Sequence, residues 1–176
     1  MSQCQQCNCP LLGIIASASA GATGGGVDFL CLPTNPEWLS TTSVSYFNQI
    51  GSVSYQHNGY IFASYTDNKR ARCAQCYTNS RPAVMMIPGH YSCPTYRTRE
   101  YYGYLMASEE SRNHPSRYIC VNSNPSYLSY SSSSYYSTSS YLTFVRADCS
   151  GSGTLDECSS GEYVHGRVLS CVVCSR

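Results

Sequence analysis

Residues 31–40 read CLPTNPEWLS and residues 120–129 read CVNSNPSYLS. Cysteine, Asn-Pro, an aromatic and Leu-Ser recur at one constant offset of 89 residues, and an aromatic, Phe29 or Tyr118, stands two positions before each cysteine. Working outward, a Cys-Pro pair precedes each copy (Cys9-Pro10, Cys93-Pro94) and a Cys-x-x-Cys follows each (Cys73/Cys76, Cys171/Cys174). Three elements in the same order are hard to obtain by accident, and internal repetition decides an architecture before any local reading does. The expectation is an all-β or β-rich chain with little helix, a pseudo-twofold duplication of one small disulfide-stapled β unit. A cysteine-containing tail, 1–8, precedes a first repeat, 9–88, and a second repeat, 89–176, which carries a Ser/Tyr-rich insert at 126–144.

Composition agrees with strands and turns. Seventeen tyrosines and many serines stand beside few leucines, glutamates and alanines and one lysine, Lys69, a profile that disfavours helices. Asn-Pro ends the strand that carries each middle cysteine. Alternation predicts strands at Val44–Tyr46 and Val53–Tyr55, and Tyr101–Ala107 is a further candidate. The apolar runs Ala83–Pro88 and Val168–Val173 read as buried strands. Residues 10–22 are apolar and small and contain Ala-Ser-Ala near their end, but no positive residue precedes them and Cys4, Cys7 and Cys9 stand where a charged start belongs. The chain therefore reads as a mature form whose export signal is not in view.

Twelve cysteines in 176 residues would be a hazard in a reducing cytosol, so the expected compartment is oxidising and the chain secreted. Cys9, Cys31, Cys73, Cys76, Cys93, Cys120, Cys171 and Cys174 are the framework common to both repeats. Cys149 and Cys158 flank a Gly/Ser turn and read as a local bridge. Cys4 and Cys7, outside the repeat, read as a tail or interchain pair. Connectivity stays open, because eight cysteines allow on the order of a hundred pairings.

Several chemistries fall away. With 12% charged residues and a net charge of +1, no basic stripe supports a nucleic acid or membrane-surface partner. Zinc needs four thiolates or imidazoles at tetrahedral spacing; the Cys-x-x-Cys pairs are far apart, and His57, His90, His114 and His165 lie at no finger spacing. A redox Cys-x-x-Cys wants a helix N-terminus. No Gly-x-Ser-x-Gly elbow and no carboxylate pair suggests catalysis. The reading is of no enzyme, no metal and no cofactor. Carbohydrate binding is the rival: Trp38, Tyr46, Tyr60, Tyr101, Tyr102 and Arg99 offer aromatic faces and a polar head. Against it, Trp38 is expected to pack beside its repeat counterpart Tyr127, and the tyrosines to fill a β core with hydroxyls outward.

Longer stretches carry a family resemblance. VDFLCLPTNPEW (27–38), CAQCYTNSRPAVMMIPGHYSCP (73–94), YYGYLMAS (101–108), YICV (118–121) and GRVLSCVVCSR (166–176) resemble the C-terminal non-collagenous domain of invertebrate short-chain (spongin-type) collagens, which is similar to the duplicated C-terminal domain of type IV collagen. The match runs from about Cys9 to Arg176. The resemblance implies an extracellular matrix role, disulfide-paired cysteines at the ten positions from Cys9 to Cys174, and self-association. No Gly-x-y repeat is present, so this chain by itself is not a collagen. The expected function is a secreted structural protein that assembles with itself, as a filament where the contact is heterologous, with other matrix proteins or glycans as further partners. The low complexity of the Ser/Tyr segment reads as a disordered or exposed loop, or as an assembly surface, because uncharged Ser/Tyr mixtures stack readily; Trp38, Tyr127, Tyr130, Tyr135, Tyr136 and Tyr141 are the candidate assembly or ligand surface, and the alternative function is a secreted lectin-like module.

Overall fold

The computed structural model describes residues 8–18, 21–39, 49–57, 61–62, 65–77, 80–111, 113–128, 140–150, 158–159 and 161–176. Ten strands run through the described residues: β1 (Asn8–Ala18), β2 (Leu30–Pro33), β3 (Ile50–Tyr55), β4 (Arg70–Tyr77), β5 (Val84–Pro88), β6 (Thr98–Ser108), β7 (Ile119–Asn122), β8 (Tyr127–Leu128), β9 (Ser140–Phe144) and β10 (Ser170–Ser175). No α-helix occurs among the described residues. The β-rich class expected from composition is what the chain adopts.

Two compact units divide the chain, and they interleave along it. Unit 1 holds residues 1–79, 107–117 and 124–143; unit 2 holds 80–106, 118–123 and 144–176. β5, which the repeat pattern assigns to the end of the first repeat, belongs to unit 2, where it pairs with β10.

In unit 1, β1 pairs antiparallel with β2, β3 and β4. β9 runs parallel to β3, with Val53 opposite Ser140 and Tyr55 opposite Leu142. β8 meets β4 at Arg70 and Ala71. The core is small: Ala16, Val53, Tyr55, Phe62, Ala71, Tyr141 and Leu142. Tyr55 packs edge-on against Phe62, with ring centroids 5.8 Å apart. The turn from β3 to β4 is held by His57, whose backbone N–H donates to Asp67 Oδ1 at 2.7 Å and whose Nε2 lies 2.8 Å from Thr66 Oγ1. Asn68 takes the left-handed conformation there, φ 59°, which asparagine tolerates better than most residues.

In unit 2, β6 is central. β7 and β10 pair with it antiparallel, and β5 pairs with the outer side of β10. Leu105, Met106, Val121, Ala147, Cys171, Val172 and Cys174 are buried. Arg81 donates from Nε to Ser175 Oγ at 2.9 Å and lies 3.3 Å from Glu100 Oε1, and the Ser175 hydroxyl donates to the same carboxylate. The approach to β5 is thus tied to β10 and β6.

Five expectations change. Ala83–Pro88 does form a strand, but an edge strand with Val84, Met85 and Met86 exposed; an unbroken apolar run does not distinguish a buried strand from an edge one. Trp38 is 79% exposed rather than packed. Tyr141, placed on an assembly surface by the sequence, is buried because β9 is drawn against β3. The Ser/Tyr insert contains β8 and β9 at its ends. Two tyrosines, buried Tyr55 and half-buried Tyr101, also turn their hydroxyls inward: Tyr55 donates to the Ser126 carbonyl at 3.4 Å and Tyr101 to the Cys120 carbonyl at 3.1 Å. Val44–Tyr46, Tyr60, Tyr130, Tyr135 and Tyr136 lie outside the described residues.

Burial pushes the Tyr55 and Tyr101 phenols above their ordinary value of 10.0. The native state therefore holds these protons longer than the unfolded chain does. Their contribution to stability is present below pH 10 and is lost as pH rises from there through the folded values. Spectrophotometric titration is expected to show two phenols that ionise only as the fold is lost; all seventeen tyrosines titrating together near pH 10 would contradict this.

Candidate functional site

The disulfides are built from the sheet registers. In unit 1, Gly13 at the middle of β1 lies opposite Pro33 of β2 and Cys73 of β4, while Ile15 lies opposite Cys31. In unit 2, Gly103 at the middle of β6 lies opposite Asn122 of β7 and Cys171 of β10, while Leu105 lies opposite Cys120. The registers are the same: a central glycine faces the first cysteine of the Cys-x-x-Cys, and the residue two places on faces the middle cysteine.

The glycines explain how two cysteines on strands either side of a third can meet. A Cβ at Gly13 would overlap the Leu32 carbonyl oxygen and lie 3.4 Å from Cys31 Sγ; a Cβ at Gly103 would overlap the Val121 carbonyl. Without side chains there, β2 folds close over β1 and β7 over β6. The Cα atoms of Cys31 and Cys73 come within 5.8 Å, and those of Cys120 and Cys171 within 5.7 Å, inside the range a disulfide spans.

Both units then use one connectivity. Cys31 bonds Cys73 and Cys120 bonds Cys171, so the middle cysteine takes the first of the Cys-x-x-Cys. Cys9 bonds Cys76 and Cys93 bonds Cys174, so the Cys-Pro cysteine takes the second. Neither motif pairs within itself, and all four of these thiols are engaged. Cys149 bonds Cys158 across nine residues. Cys4 and Cys7 lie outside the described residues.

One difference between the units follows from β5. Cys174 is fully buried, with Met85 of β5 opposite it on β10. Cys76 is exposed, and among the described residues no strand lies on the corresponding side of β4 beyond Ala71.

The histidines serve the fold or its surface. His57 braces the β3–β4 turn, and His114 Nε2 lies 2.7 Å from the Gly26 carbonyl in unit 1. His165 lies 3.4 Å from Asp148 beside the Cys149–Cys158 bridge. Two hydrogen bonds from Ser150, backbone first, hold the Asp148 carboxyl below its usual range, with His165 and Arg146 adding to this. No cluster of three metal-ligating side chains occurs among the described residues.

Among the described aromatic candidates Arg99 and Tyr102 are brought together, with the guanidinium 4.8 Å from the ring centroid. Tyr101 points inward. Sequence reading missed Gly13 and Gly103; the signal was available, since Leu12-Gly13-Ile14 and Tyr102-Gly103-Tyr104 stand 90 residues apart, close to the cysteine offset. No protein family, curated protein or solved structure matches this chain.

Proposed function

We propose that this chain is a secreted structural protein of the extracellular matrix type, built on two copies of one stapled sheet, and that it self-associates through the free edge of β5. The observation that carries this reading is the pairing of five disulfides with an uncharged, solvent-facing edge strand. The disulfides suit an oxidising compartment, and among the described residues no helix is long and apolar enough to cross a membrane. The family resemblance of the Cys9–Arg176 region supports the same role.

The edge geometry supports self-association specifically. Ala83 and Arg176 exchange both backbone hydrogen bonds, at 3.2 and 2.9 Å, and Gly89 donates to the Ser170 carbonyl at 2.8 Å. The alternation of an antiparallel ladder then turns residues 83, 85, 87 and 89 towards β10, and the N–H and C=O groups of Val84 and Met86 away from it. Val84 is 63% exposed, and residues 82–89, PAVMMIPG, carry no charge. Natural edges are commonly blunted by charge; this one has only Pro82 and Pro88 at its ends. Those prolines leave one self-complementary register, Val84 of one copy opposite Met86 of the other and the reverse, centred on Met85. Such a twofold contact closes into a dimer, so a filament requires a second contact. Cys4 and Cys7, outside the repeated framework, would supply it covalently.

Light scattering across a concentration series tests the reading. The native chain is expected to dimerise. Val84→Lys, which places a charge on an exposed edge position, and Met86→Pro, which removes an N–H that β10 does not use, are both expected to raise the dimer dissociation constant by about tenfold or more, each such factor being about 1.4 kcal/mol. A chain that is monomeric at every concentration, or variants that assemble as well as the native chain, would overturn it.

A further inference from the structure

The register between β6 and β10 slips by one residue where Val173 pairs with Tyr101 and Cys174 with Arg99. Glu100 is the extra residue of this β-bulge. In an unbroken strand, Arg99 and Tyr102 would point to opposite faces. The bulge reverses that alternation, and bulges recur where a side chain must be re-aimed. Arg99 consequently lies over the Tyr102 ring, 4.8 Å from its centroid, and donates from Nη1 to the Tyr91 carbonyl at 3.1 Å. Glu100, the neighbouring acid, is spent elsewhere: it meets Arg81 and Ser175.

Besides Tyr102, two further exposed tyrosines stand close to Arg99 along the chain, in the loop that leads into β6. Tyr102 is 44% exposed, Tyr91 66% and Tyr96 88%. Tyr96, three residues before Arg99, adopts φ 68°, a conformation unusual for a bulky side chain and one that clusters where a binding surface is held in shape. It sits in the turn closed by the Arg97 N–H donating to the Pro94 carbonyl at 3.2 Å, directly after the Cys93–Cys174 staple.

We propose that Arg99, Tyr102, Tyr91 and Tyr96 form a binding site for an anionic saccharide, a sugar bearing sulfate or carboxylate. The arginine fork matches the planar or tetrahedral oxyanion and keeps N–H groups beyond the one given to Tyr91. Exposed tyrosine rings suit the apolar faces of a pyranose. The stack on Tyr102 and the bond to Tyr91 fix the guanidinium beforehand, which lowers the ordering cost of binding. The proposal does not rest on self-association: the site is on β6 and the loop before it, not on the free edge of β5.

Calorimetric titration of the oxidised full chain tests it with three probes: a heparin-derived tetrasaccharide, a tetragalacturonate carrying only carboxylates, and neutral cellotetraose. At least one anionic probe is expected to bind and cellotetraose to bind at least about tenfold more weakly; which anionic probe binds identifies the group recognised. Arg99→Gln and Tyr102→Ala are each expected to weaken binding by about tenfold or more, with the disulfide mass and circular dichroism unchanged, while Arg146→Gln changes it by less than about twofold. Val84→Lys is expected to bind as the native chain does, whether or not assembly occurs. Absence of binding by both anionic probes, equal binding of cellotetraose, an Arg99→Gln variant that binds normally, or an equal loss in Arg146→Gln would overturn the proposal.

Discussion

Full reduction at neutral pH is expected to unfold this protein. The bonds close loops with separations of 67, 42, 81, 51 and 9 residues. On the chain-entropy account, the four long ones each constrain the unfolded state by about 4 kcal/mol, and the short one by about 2.5 kcal/mol. A domain of this size is stable by only about 5–15 kcal/mol in total, and few apolar side chains are buried among the described residues. The expected result is loss of the near-ultraviolet tyrosine signal and of the cooperative thermal transition in reducing agent, with both present in the oxidised protein. Replacing both cysteines of the Cys93–Cys174 pair by serine is expected to cost about 4 kcal/mol, and the corresponding change at Cys149 and Cys158 clearly less. Denaturant midpoints measure the two side by side; a reduced chain that melts at the same temperature as the oxidised one would contradict the framework's role.

The second large effect falls on the central glycines. At Gly103 a Cβ would meet the Val121 carbonyl oxygen, the Asn122 carbonyl carbon and the Ser123 nitrogen, all of them backbone. A flexible side chain would yield at small cost, but β7 is tied to β10 by Cys120–Cys171 and has no freedom to retreat. Gly103→Ala is therefore expected to destabilise by about 3 kcal/mol or more, beyond ordinary overpacking, and Gly13→Ala by a similar amount through Leu32. Gly51 in β3 is the control, with nothing within 4 Å of its Cβ position; alanine there is expected to be neutral or mildly stabilising, because glycine is a poor strand residue. Equal midpoints for Gly103→Ala and Gly51→Ala would show that the close crossing of β6 and β7 is not needed.

The sequence made some of this architecture legible and hid the rest for identifiable reasons. Even cysteine number, tyrosine and serine excess and scarce helix formers pointed to a stapled β chain, and Val53–Tyr55 and Tyr101–Ala107 fall within β3 and β6. β1 was obscured because its small apolar residues, such as Ala16 and Ala18, imitate a leader segment. β9 was obscured inside the Ser/Tyr tract, where Ser140 and Leu142 are paired by β3, a contact 87 residues distant along the chain that no local pattern records. The exposed edge of β5 could not be read from PAVMMIP, since the strand's neighbours, not its residues, decide burial. The stack of Arg99 on Tyr102 depends on a bulge opposite Cys174, a property of register. Disulfide connectivity was closed to sequence reading for the same reason: the Cys31–Cys73 and Cys120–Cys171 bonds follow from which strands flank β1 and β6.

Mapping the bonds of the native protein by mass spectrometry of unreduced peptides tests the account most directly. The expected linkages are Cys9–Cys76, Cys31–Cys73, Cys93–Cys174, Cys120–Cys171 and Cys149–Cys158, with one pattern in each half of the chain. Free thiols at these positions, or bonds closing Cys73 to Cys76 and Cys171 to Cys174, would contradict it.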